Sequence, residues 1–294
     1  MTTRFFVPRD AAARAVGADR VAIALHEEAG RQGIDIEIVR TGSRGLFWLE
    51  PMVEVETPGG RIAFGPVAAR DVHGLLAGGL PIGDRHPLCL GRPENLPFLK
   101  RQTRLTFARC GIVDPLSLAD WRIQGGGRGL ERARSLGPAK TLKELTWSGL
   151  RGRGGAGFPT GIKWKTVADA EADRKYVVCN ADEGDSGTFA DRMLLEGDPF
   201  ALIEGMAIAG FAVGAAKGFV YIRSEYPDAV RTFERAVLLA EAGGLLGAEA
   251  GFDIEVRIGA GSYVCGEETA LLESIEGKRG QVRAKPPLPA IKGL

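Results

Sequence analysis

The chain has 294 residues, of which 45% are hydrophobic and 26% are charged, proportions typical of a globular protein with a sizeable core. Its 38 basic and 37 acidic residues leave a formal net charge of +1, less basic than a general nucleic-acid or membrane-surface binder. Glycine accounts for 42 residues, about twice its ~7% average usage. No Gly-X-Y repeat accompanies it, which excludes collagen and indicates turns or close backbone approach to ligands.

The four cysteines, Cys89, Cys110, Cys179 and Cys265, form no Cys-x-x-Cys pair. We therefore expect no zinc or iron–sulfur site made from this chain alone. The apolar run near the N-terminus is too short for a signal peptide. The longest apolar stretch, residues 206–216, is shorter than the ~18 residues that a membrane span requires. These features predict a cytoplasmic protein without membrane contact.

The first elements in chain order predict a small α/β domain over residues 1–88. An amphipathic helix is expected over residues 21–32, followed by a strand in which Ile34, Ile36 and Ile38 alternate with charged residues. Residues 53–56 and 62–64 read as two strands joined by a Pro-Gly-Gly turn. A helix over residues 68–77 completes the unit, and a proline-rich stretch then marks a boundary to a second domain over residues 89–294.

Strands and helices alternate in the second half of the chain. Strands are predicted at residues 176–179, 218–222 and 252–258, and helices at residues 201–216, 227–242 and 267–275. This alternation predicts a parallel, doubly wound sheet, so the expected fold class is α/β with a Rossmann-like second domain.

A glycine-rich segment covers residues 149–161, in which six of the 13 residues are glycine. Residues 152–157 match the pattern G-x-G-x-x-G, but residues 141–147 before them look helical and the first good strand comes afterwards. This context argues against an ordinary dinucleotide-binding fingerprint. A backbone without Cβ atoms can still lie flat against a phosphate or a planar ring. Interleaved Arg151, Arg153 and Phe158 make a flexible linker a poor interpretation.

An acidic segment, residues 180–187, follows the strand predicted at residues 176–179, where parallel sheets bind ligands. Within it, Gly-Asp-Ser-Gly imitates a serine-protease nucleophile segment. All three histidines lie in the first 86 residues, so a catalytic triad is not expected. A Mg²⁺ site at Asp182, Glu183 and Asp185 remains an alternative, although no Walker-type phosphate loop accompanies it.

A third segment, residues 259–272, again follows a strand and opens a helix. Glu267 and Glu268 stand at the start of that helix, where carboxylates are stabilised by the helix dipole whatever their function. Simple helix capping is therefore the alternative to a role in ligand binding.

Together, residues 152–161, 180–183 and 261–270 resemble the NADH-oxidising flavoprotein subunit of respiratory complex I and its relatives in NAD-linked hydrogenases and formate dehydrogenases. The resemblance covers about residues 91–294. Residues 179–192 are most similar to the β subunit of soluble NAD-dependent molybdenum formate dehydrogenases. The resemblance implies hydride transfer between NAD(H) and FMN, without a protein acid or base, and electron exchange with a larger complex. A cofactor-free assembly module and a Mg²⁺-dependent phosphotransferase remain alternatives from other classes.

The resemblance also implies two sets of site residues. The expected FMN contacts are Gly152, Gly154, Lys163, Asn180, Asp182, Glu183, Tyr263, Gly266 and Glu267. The expected NAD contacts are Gly155, Ala156, Phe158, Asp185, Glu268 and Lys285. Thr166 and Leu288 stand where many relatives carry aromatic residues, which leaves Phe158 to stack on the adenine.

The N-terminal unit resembles the thioredoxin-like iron–sulfur domain of the neighbouring complex I subunit. The pattern there is Gly-Cys-x-Gly-x-Cys-x-x-x-Pro, whereas here Ser43 and Phe47 stand at the two cysteine positions. A hydroxyl and a phenyl ring do not ligate iron, so we expect no cluster in this unit. Relatives continue past the position of Leu294, where the flavin domain is apparently truncated. A [4Fe-4S] cluster is expected only in that continuation or in partner subunits, which would also carry a molybdenum site.

Overall fold

The computed structural model describes residues 2–77 and 85–294, and the chain divides into two compact units. The first unit comprises Met1–Asp120 with Glu196–Asp198, and the second comprises Trp121–Leu195 with Pro199–Leu294. Residues 89–120 thus pack with the N-terminal elements, although the sequence placed a domain boundary after residue 88. Packing units and domains need not coincide, so that domain boundary stays a prediction.

The first unit is a five-stranded mixed sheet with short helices. Its strands and helices in chain order are β1 (Thr3–Pro8), α1 (Ala11–Ala15), α2 (Ala18–Gln32), β2 (Ile36–Thr41), β3 (Val53–Thr57), β4 (Gly60–Phe64), α3 (Val72–Leu76), β5 (Cys89–Gly91), α4 (Pro97–Lys100) and α5 (Leu118–Ile123), whose last three residues belong to the second unit. Short 3₁₀ helices cover Phe47–Leu49, Ala69–Asp71 and Pro93–Asn95.

The strand order of this sheet is β2-β1-β3-β4-β5. Strands β1 and β2 pair in parallel, while β3 runs antiparallel to both of its neighbours, β1 and β4. A parallel β-α-β unit followed by an antiparallel hairpin in this order is the thioredoxin-like arrangement, which confirms the expected fold. The predicted hairpin and the helix ending at residue 32 are also confirmed, and the helix expected over residues 68–77 is divided between a 3₁₀ turn and α3.

One face of α2 packs on this sheet. Val21, Leu25 and Ala29 are at most 2% exposed and share a core cluster with Phe5 and Val53. Their spacing of four residues places them on one side of a helix, so the sequence pattern and the packing agree.

A buried polar cluster lies where the resemblance would place iron ligands. The Ser43 hydroxyl donates to Glu50 across 2.7 Å and accepts the main-chain N–H of Gly45, and Glu50 also accepts the N–H of Met52. Burial, reinforced by the negative charge of Asp10, raises the pKa of Glu50 to about 8. Phe47 lies on a 3₁₀ helix and is 39% exposed. The absence of a cluster here stays a prediction.

The second unit contains a parallel sheet and most of the helices. Its elements are α6 (Arg128–Leu136), α7 (Pro138–Trp147), α8 (Thr160–Asp169), β6 (Tyr176–Ala181), α9 (Ala190–Gly197), α10 (Pro199–Val213), β7 (Lys217–Ile222), α11 (Pro227–Ala242), β8 (Asp253–Ile258) and α12 (Glu268–Ile275). The final residues of α9 are counted with the first unit. Every strand and helix predicted for this half is present, with ends that differ by up to three residues.

The strands of the second unit stand in the order β6-β7-β8, all parallel. Because strand order follows chain order, right-handed crossovers place the connecting helices on one face of the sheet. Helix α12, which follows β8, packs with Tyr221 and Val178, whereas Met206 of α10 lies beside Gly218 of β7. Because Gly218 and Tyr221 face opposite sides of the strand, helices lie on both faces of the sheet. The doubly wound arrangement stays a prediction. The parallel α/β sheet itself is confirmed.

The register of this sheet brings three chain segments to one edge. Ala181 pairs with Ile222, and Ile222 pairs with Ile258, so β6, β7 and β8 end side by side. The residues that follow each strand consequently begin at the same edge. Within the described ranges, none of the helices is both long and apolar enough to span a bilayer.

Candidate functional site

The glycine-rich segment between α7 and α8 is an ordered hairpin. The main-chain N–H of Gly152 donates to Phe158 across 2.9 Å, and the N–H of Thr160 donates to Leu150 across 2.9 Å. The Arg151 guanidinium closes the turn by donating to the carbonyl of Gly157 across 2.9 Å. This segment follows a helix, as predicted, and these hydrogen bonds argue against a flexible linker.

Three glycines of this hairpin are not required by packing. A Cβ atom at Gly154, Gly155 or Gly157 would meet no described atom within 4 Å. The φ angles of Gly155 and Gly157, +97° and +60°, favour glycine by themselves, but Gly154 has no such φ. The main chain at Gly154, Gly155 and Gly157 therefore forms an open surface, here called the open glycine strip, against which a ligand can lie. Of the three, only Gly154 is not already explained by its φ angle. Phe158 beside the strip is 52% exposed.

Asn180 joins the acidic segment to the third segment. It is the next-to-last residue of β6, its side-chain amide donates to the carbonyl of Gly266 across 2.8 Å, and its Oδ1 accepts the main-chain N–H of Asp182. A Cβ atom at Gly266 would lie 3.3 Å from the carbonyl oxygen of Asp182. Glycine thus allows the two segments to approach closely. Burial raises the pKa of Asp182.

Tyr263 makes a second contact between the same segments. A Cβ atom at Gly184 would lie 2.7 Å from the Tyr263 ring, so the ring packs on the bare main chain there. The tyrosine is nevertheless 76% exposed, and its ring is accessible to a ligand.

Four charged side chains form a cluster at the start of α12. Lys285 Nζ lies 2.9 Å from a Glu267 carboxylate oxygen and 2.7 Å from one of Glu268, and Lys163 Nζ lies 3.5 Å from the other oxygen of Glu268. Since Lys163 is on α8, this cluster connects the element after the glycine-rich hairpin to the third segment.

Glu267 is also the N-cap of α12. Its carboxylate accepts the main-chain N–H groups of Thr269 and Ala270 and the Thr269 hydroxyl. Burial alone would raise the pKa of Glu267, but hydrogen bonds from Thr269, Lys285 and the backbone outweigh it and lower the pKa to about 2. The capping interpretation is correct for Glu267, while Glu268 points its carboxylate at lysines instead.

Glu183 is oriented differently from the other predicted site residues. Its carboxylate is buried and accepts the main-chain N–H groups of Asp191 and Arg192 at the start of α9 and the hydroxyl of Tyr226. Burial and the negative charge of Glu183 raise the pKa of Asp191 to about 6. Sequence reasoning missed Tyr226, whose signal was its place just after β7 at the ligand-binding edge.

The structure therefore brings together eight of the predicted site residues: Lys163, Asn180, Asp182, Tyr263, Gly266, Glu267, Glu268 and Lys285. The glycine-rich hairpin presents another five as an exposed surface: Gly152, Gly154, Gly155, Ala156 and Phe158. Asp185 is exposed on the loop before α9. Across residues 2–77 and 85–294, no group of three or more His, Cys, Asp or Glu residues is arranged to hold a metal ion.

A family model described as the Nuo51 FMN-binding domain matches residues 145–294, just over half of the chain and all three segments of the site. The chain belongs to this FMN-binding family. The cofactor expected from the resemblance is thereby confirmed as FMN.

Curated relatives of this family share about half of the aligned residues. The chain is 51% identical over 199 residues to NADP-reducing hydrogenase subunit HndC of Solidesulfovibrio fructosivorans, covering 66% of this chain and 40% of that protein. It is 49% identical over 170 residues to the alpha subunit of the NAD-reducing hydrogenase HoxS of Cupriavidus necator, covering 56% and 28%. It is 51% identical over 160 residues to the mitochondrial NADH dehydrogenase (ubiquinone) flavoprotein 1 of Dictyostelium discoideum, covering 52% and 33%. The chain thus spans less than half the length of these relatives.

A solved structure extends the comparison to almost the whole chain. A chain of a crystal structure of an NAD⁺-reducing [NiFe]-hydrogenase in the H₂-reduced state aligns with 98% of this chain and 48% of its own, at 29% identity and a TM-score of 0.53. The family match and this fold support the α/β class predicted from the sequence.

The residues of the site fit FMN. The open glycine strip suits a planar ring, and Asn180 and Asp182 offer polar atoms at the edge of the sheet for the hydroxyl groups of a ribityl chain. Lys163 supplies positive charge beside the hairpin for a phosphate. These features are present in the chain without a bound ligand. Among the described residues, neither packing nor a positive φ explains why position 154 is a glycine.

Proposed function

We propose that this chain is the flavoprotein part of a multi-subunit redox enzyme that transfers hydride between NAD(H) and FMN. The observation that carries the proposal is the gathering of the acidic and third segments and Lys163 at one sheet edge, with the open glycine strip on the hairpin that precedes α8. Bound FMN supplies the redox chemistry, since a flavin takes up two electrons from a nicotinamide and passes them on singly. The chain contributes binding, orientation and exclusion of water.

In this proposal the hairpin holds the nicotinamide ring of NAD(H) against the flavin ring system of FMN. Gly154 and Gly155 let a planar group approach the main chain, and the exposed ring of Phe158 offers a stacking surface for a base. Asn180 and Asp182 orient hydroxyl groups, and Gly266 allows them to meet the third segment. No protein acid or base is assigned, because hydride transfer requires none.

We further propose that the dinucleotide is NAD(H) rather than NADP(H). Glu268 and Asp185 are acidic and exposed enough to face a ribose, where a carboxylate repels a 2′-phosphate. Lys163 and Lys285 reduce this repulsion because both lie beside Glu268. Discrimination is therefore expected to be partial. Relatives named for NAD reduction and for NADP reduction are both similar to this chain.

The finer proposal is that the complex is a cytoplasmic NAD-dependent formate dehydrogenase with a molybdenum site and iron–sulfur clusters in its partner subunits. It is supported by the resemblance of residues 179–192. A hydrogenase or complex I would use the same flavin site, and the relatives compared above are named as parts of hydrogenases and of a NADH dehydrogenase. Assaying the purified complex for NAD⁺ reduction by formate and by hydrogen, and for quinone reduction by NADH, distinguishes the three.

The full-length protein, purified and supplied with FMN, tests the proposed function. We expect about one FMN per chain and anaerobic bleaching of the flavin absorbance on addition of NADH. A colourless protein that does not take up FMN would instead support the assembly module. Magnesium-dependent nucleotide hydrolysis without flavin binding would support the phosphotransferase.

A further inference from the structure

The loop that carries Asp182, Glu183 and Asp185 is held from outside the predicted site by two residues that follow β7. Arg223 donates a guanidinium N–H to the main-chain carbonyl of Glu183, and the Tyr226 hydroxyl donates to the Glu183 carboxylate across 3.2 Å. Both the backbone and the side chain of Glu183 are therefore bound by the same short turn.

The Tyr226 ring is itself fixed. It is 6% exposed, and the guanidinium carbons of Arg223 and Arg192 lie 5.1 Å and 5.6 Å from its centre, within the range of cation–π attraction. The Arg192 guanidinium also lies 4.3 Å from the ring of Phe189. Phe189 adopts a φ of +52°, a left-handed conformation that is uncommon for a bulky residue.

The Glu183 carboxylate completes the connection. It accepts the N–H groups of Asp191 and Arg192 at distances of 3.1 Å and 3.3 Å. The loop from residue 183 to residue 192 is thus closed at both ends on one buried carboxylate, while the residues between, from Asp185 to Thr188, are exposed. A rigid base with an exposed tip is the arrangement expected of a ligand-binding loop.

We propose that Tyr226 and Arg223 are positioning residues for the FMN and nucleotide site, acting through Glu183 and not through direct contact with a ligand. This inference rests on the proposed function. The turn after β7 anchors Glu183, and Glu183 sets the position of Asp182 and Asp185 relative to Asn180. Loss of the anchor leaves the fold intact but lets the acidic loop move away from its binding position.

The test is Tyr226→Phe in the full-length protein, with Tyr221→Phe as a matched control. Tyr221 is 2% exposed, and its hydroxyl bonds the Ser274 hydroxyl across 2.9 Å, so each variant loses the hydrogen bonding of a buried tyrosine's hydroxyl. We expect both to lower Tm by a similar amount. Tyr226→Phe should raise the FMN dissociation constant about tenfold and change the visible circular dichroism of the bound flavin. Tyr221→Phe should change that constant by less than about twofold.

A double-mutant cycle with Glu183→Gln tests whether the effect passes through Glu183. We expect the two substitutions to be non-additive in FMN affinity, because either one breaks the same contact. Arg223→Lys keeps the positive charge but loses the planar guanidinium that donates to the Glu183 carbonyl. This variant should also weaken FMN binding, and its Tm should fall by less than the loss of affinity would suggest.

Equal FMN affinity in the two tyrosine variants, or additivity in the cycle, would overturn the inference. These outcomes presuppose that the wild-type protein binds FMN. If the wild-type protein does not bind FMN, the proposed function fails, which is a separate result.

Discussion

The side-chain amide of Asn180 donates a hydrogen bond of 2.8 Å to the carbonyl of Gly266, a residue 86 positions later in the chain. This contact is possible because β6 and β8 end at the same edge of the sheet, on either side of β7. The acidic segment and the segment before α12 therefore meet through the side-chain amide of Asn180 and the main-chain carbonyl of Gly266.

Asn180→Ala tests the role of this contact in flavin binding. The substitution removes the link to Gly266 and the acceptor for the Asp182 N–H, so we expect the FMN dissociation constant to rise about tenfold. Flavin content after gel filtration and a fluorescence titration measure it. The chain's other asparagine, Asn95, is exposed in a 3₁₀ helix of the first unit, and Asn95→Ala is the control. Equal flavin content in the two variants would contradict the site.

Gly154→Ala separates the needs of the fold from those of the ligand. The new methyl group meets no described atom within 4 Å, and alanine lowers the entropy of the unfolded chain, so Tm should stay constant or rise slightly. If a planar ring lies on this strip, FMN occupancy should nevertheless fall strongly. Gly30→Ala in α2, where the methyl group also meets nothing within 4 Å, should leave flavin binding unchanged. Normal flavin binding by Gly154→Ala would show that no ligand approaches the strip.

Glu268→Gln tests nucleotide choice. It removes a carboxylate that would repel a 2′-phosphate and partly releases Lys163 and Lys285, so both effects favour NADPH. We expect kcat/KM for NADPH to rise about tenfold, with a smaller change for NADH, in steady-state ferricyanide reduction. Glu276→Gln, at the other end of α12 and also paired with basic residues, is the control. If the Glu268 variant gains nothing with NADPH, Glu268 does not lie beside the ribose.

Glu50 should make stability depend on pH. Burial, with the charge of Asp10, raises the pKa of Glu50 from 4.5 to about 8. Between these values the folded chain keeps a proton that the unfolded chain has lost, so the free energy of unfolding falls as pH rises, by up to ~1.4 kcal/mol per pH unit. Above pH 8 the loss is complete.

Glu50→Gln mimics the protonated acid and should remove this dependence. Urea midpoints at several pH values between 5 and 9 would show a decline in wild type that is smaller in Glu50→Gln. Glu56→Gln, at an exposed position of β3, should keep the wild-type decline. Parallel pH profiles for wild type and Glu50→Gln would show that Glu50 is ionised in the folded chain.

The polypeptide of residues 1–294 should bind no iron–sulfur cluster. Ser43 is engaged by Glu50 and Gly45, and Phe47 offers no ligand atom. Metal analysis after anaerobic reconstitution should show far less than one iron per chain, and dithionite reduction should give no low-temperature cluster EPR signal. Two irons per chain with such a signal would contradict this prediction.

Local patterns in the sequence predicted most of the elements and pointed to all three segments of the candidate site. The alternation of Ile34, Ile36 and Ile38 and the four-residue spacing of Val21, Leu25 and Ala29 are short-range signals, because side-chain direction along a strand or helix repeats within a few residues. The glycines at 154 and 155 were informative for the same local reason, since bare main chain is a property of the residue itself.

Only the tertiary structure determined which groups each carboxylate contacts. Glu183 and Glu268 look equivalent in the sequence, but Glu183 turns to the start of α9 and to Tyr226, while Glu268 meets Lys163 and Lys285. The sequence likewise did not predict that residues 89–120 pack with the first unit, or that the strand order β6-β7-β8 follows chain order. Each depends on contacts between residues far apart in the chain, which sheet register and neighbouring side chains determine and local periodicity does not encode.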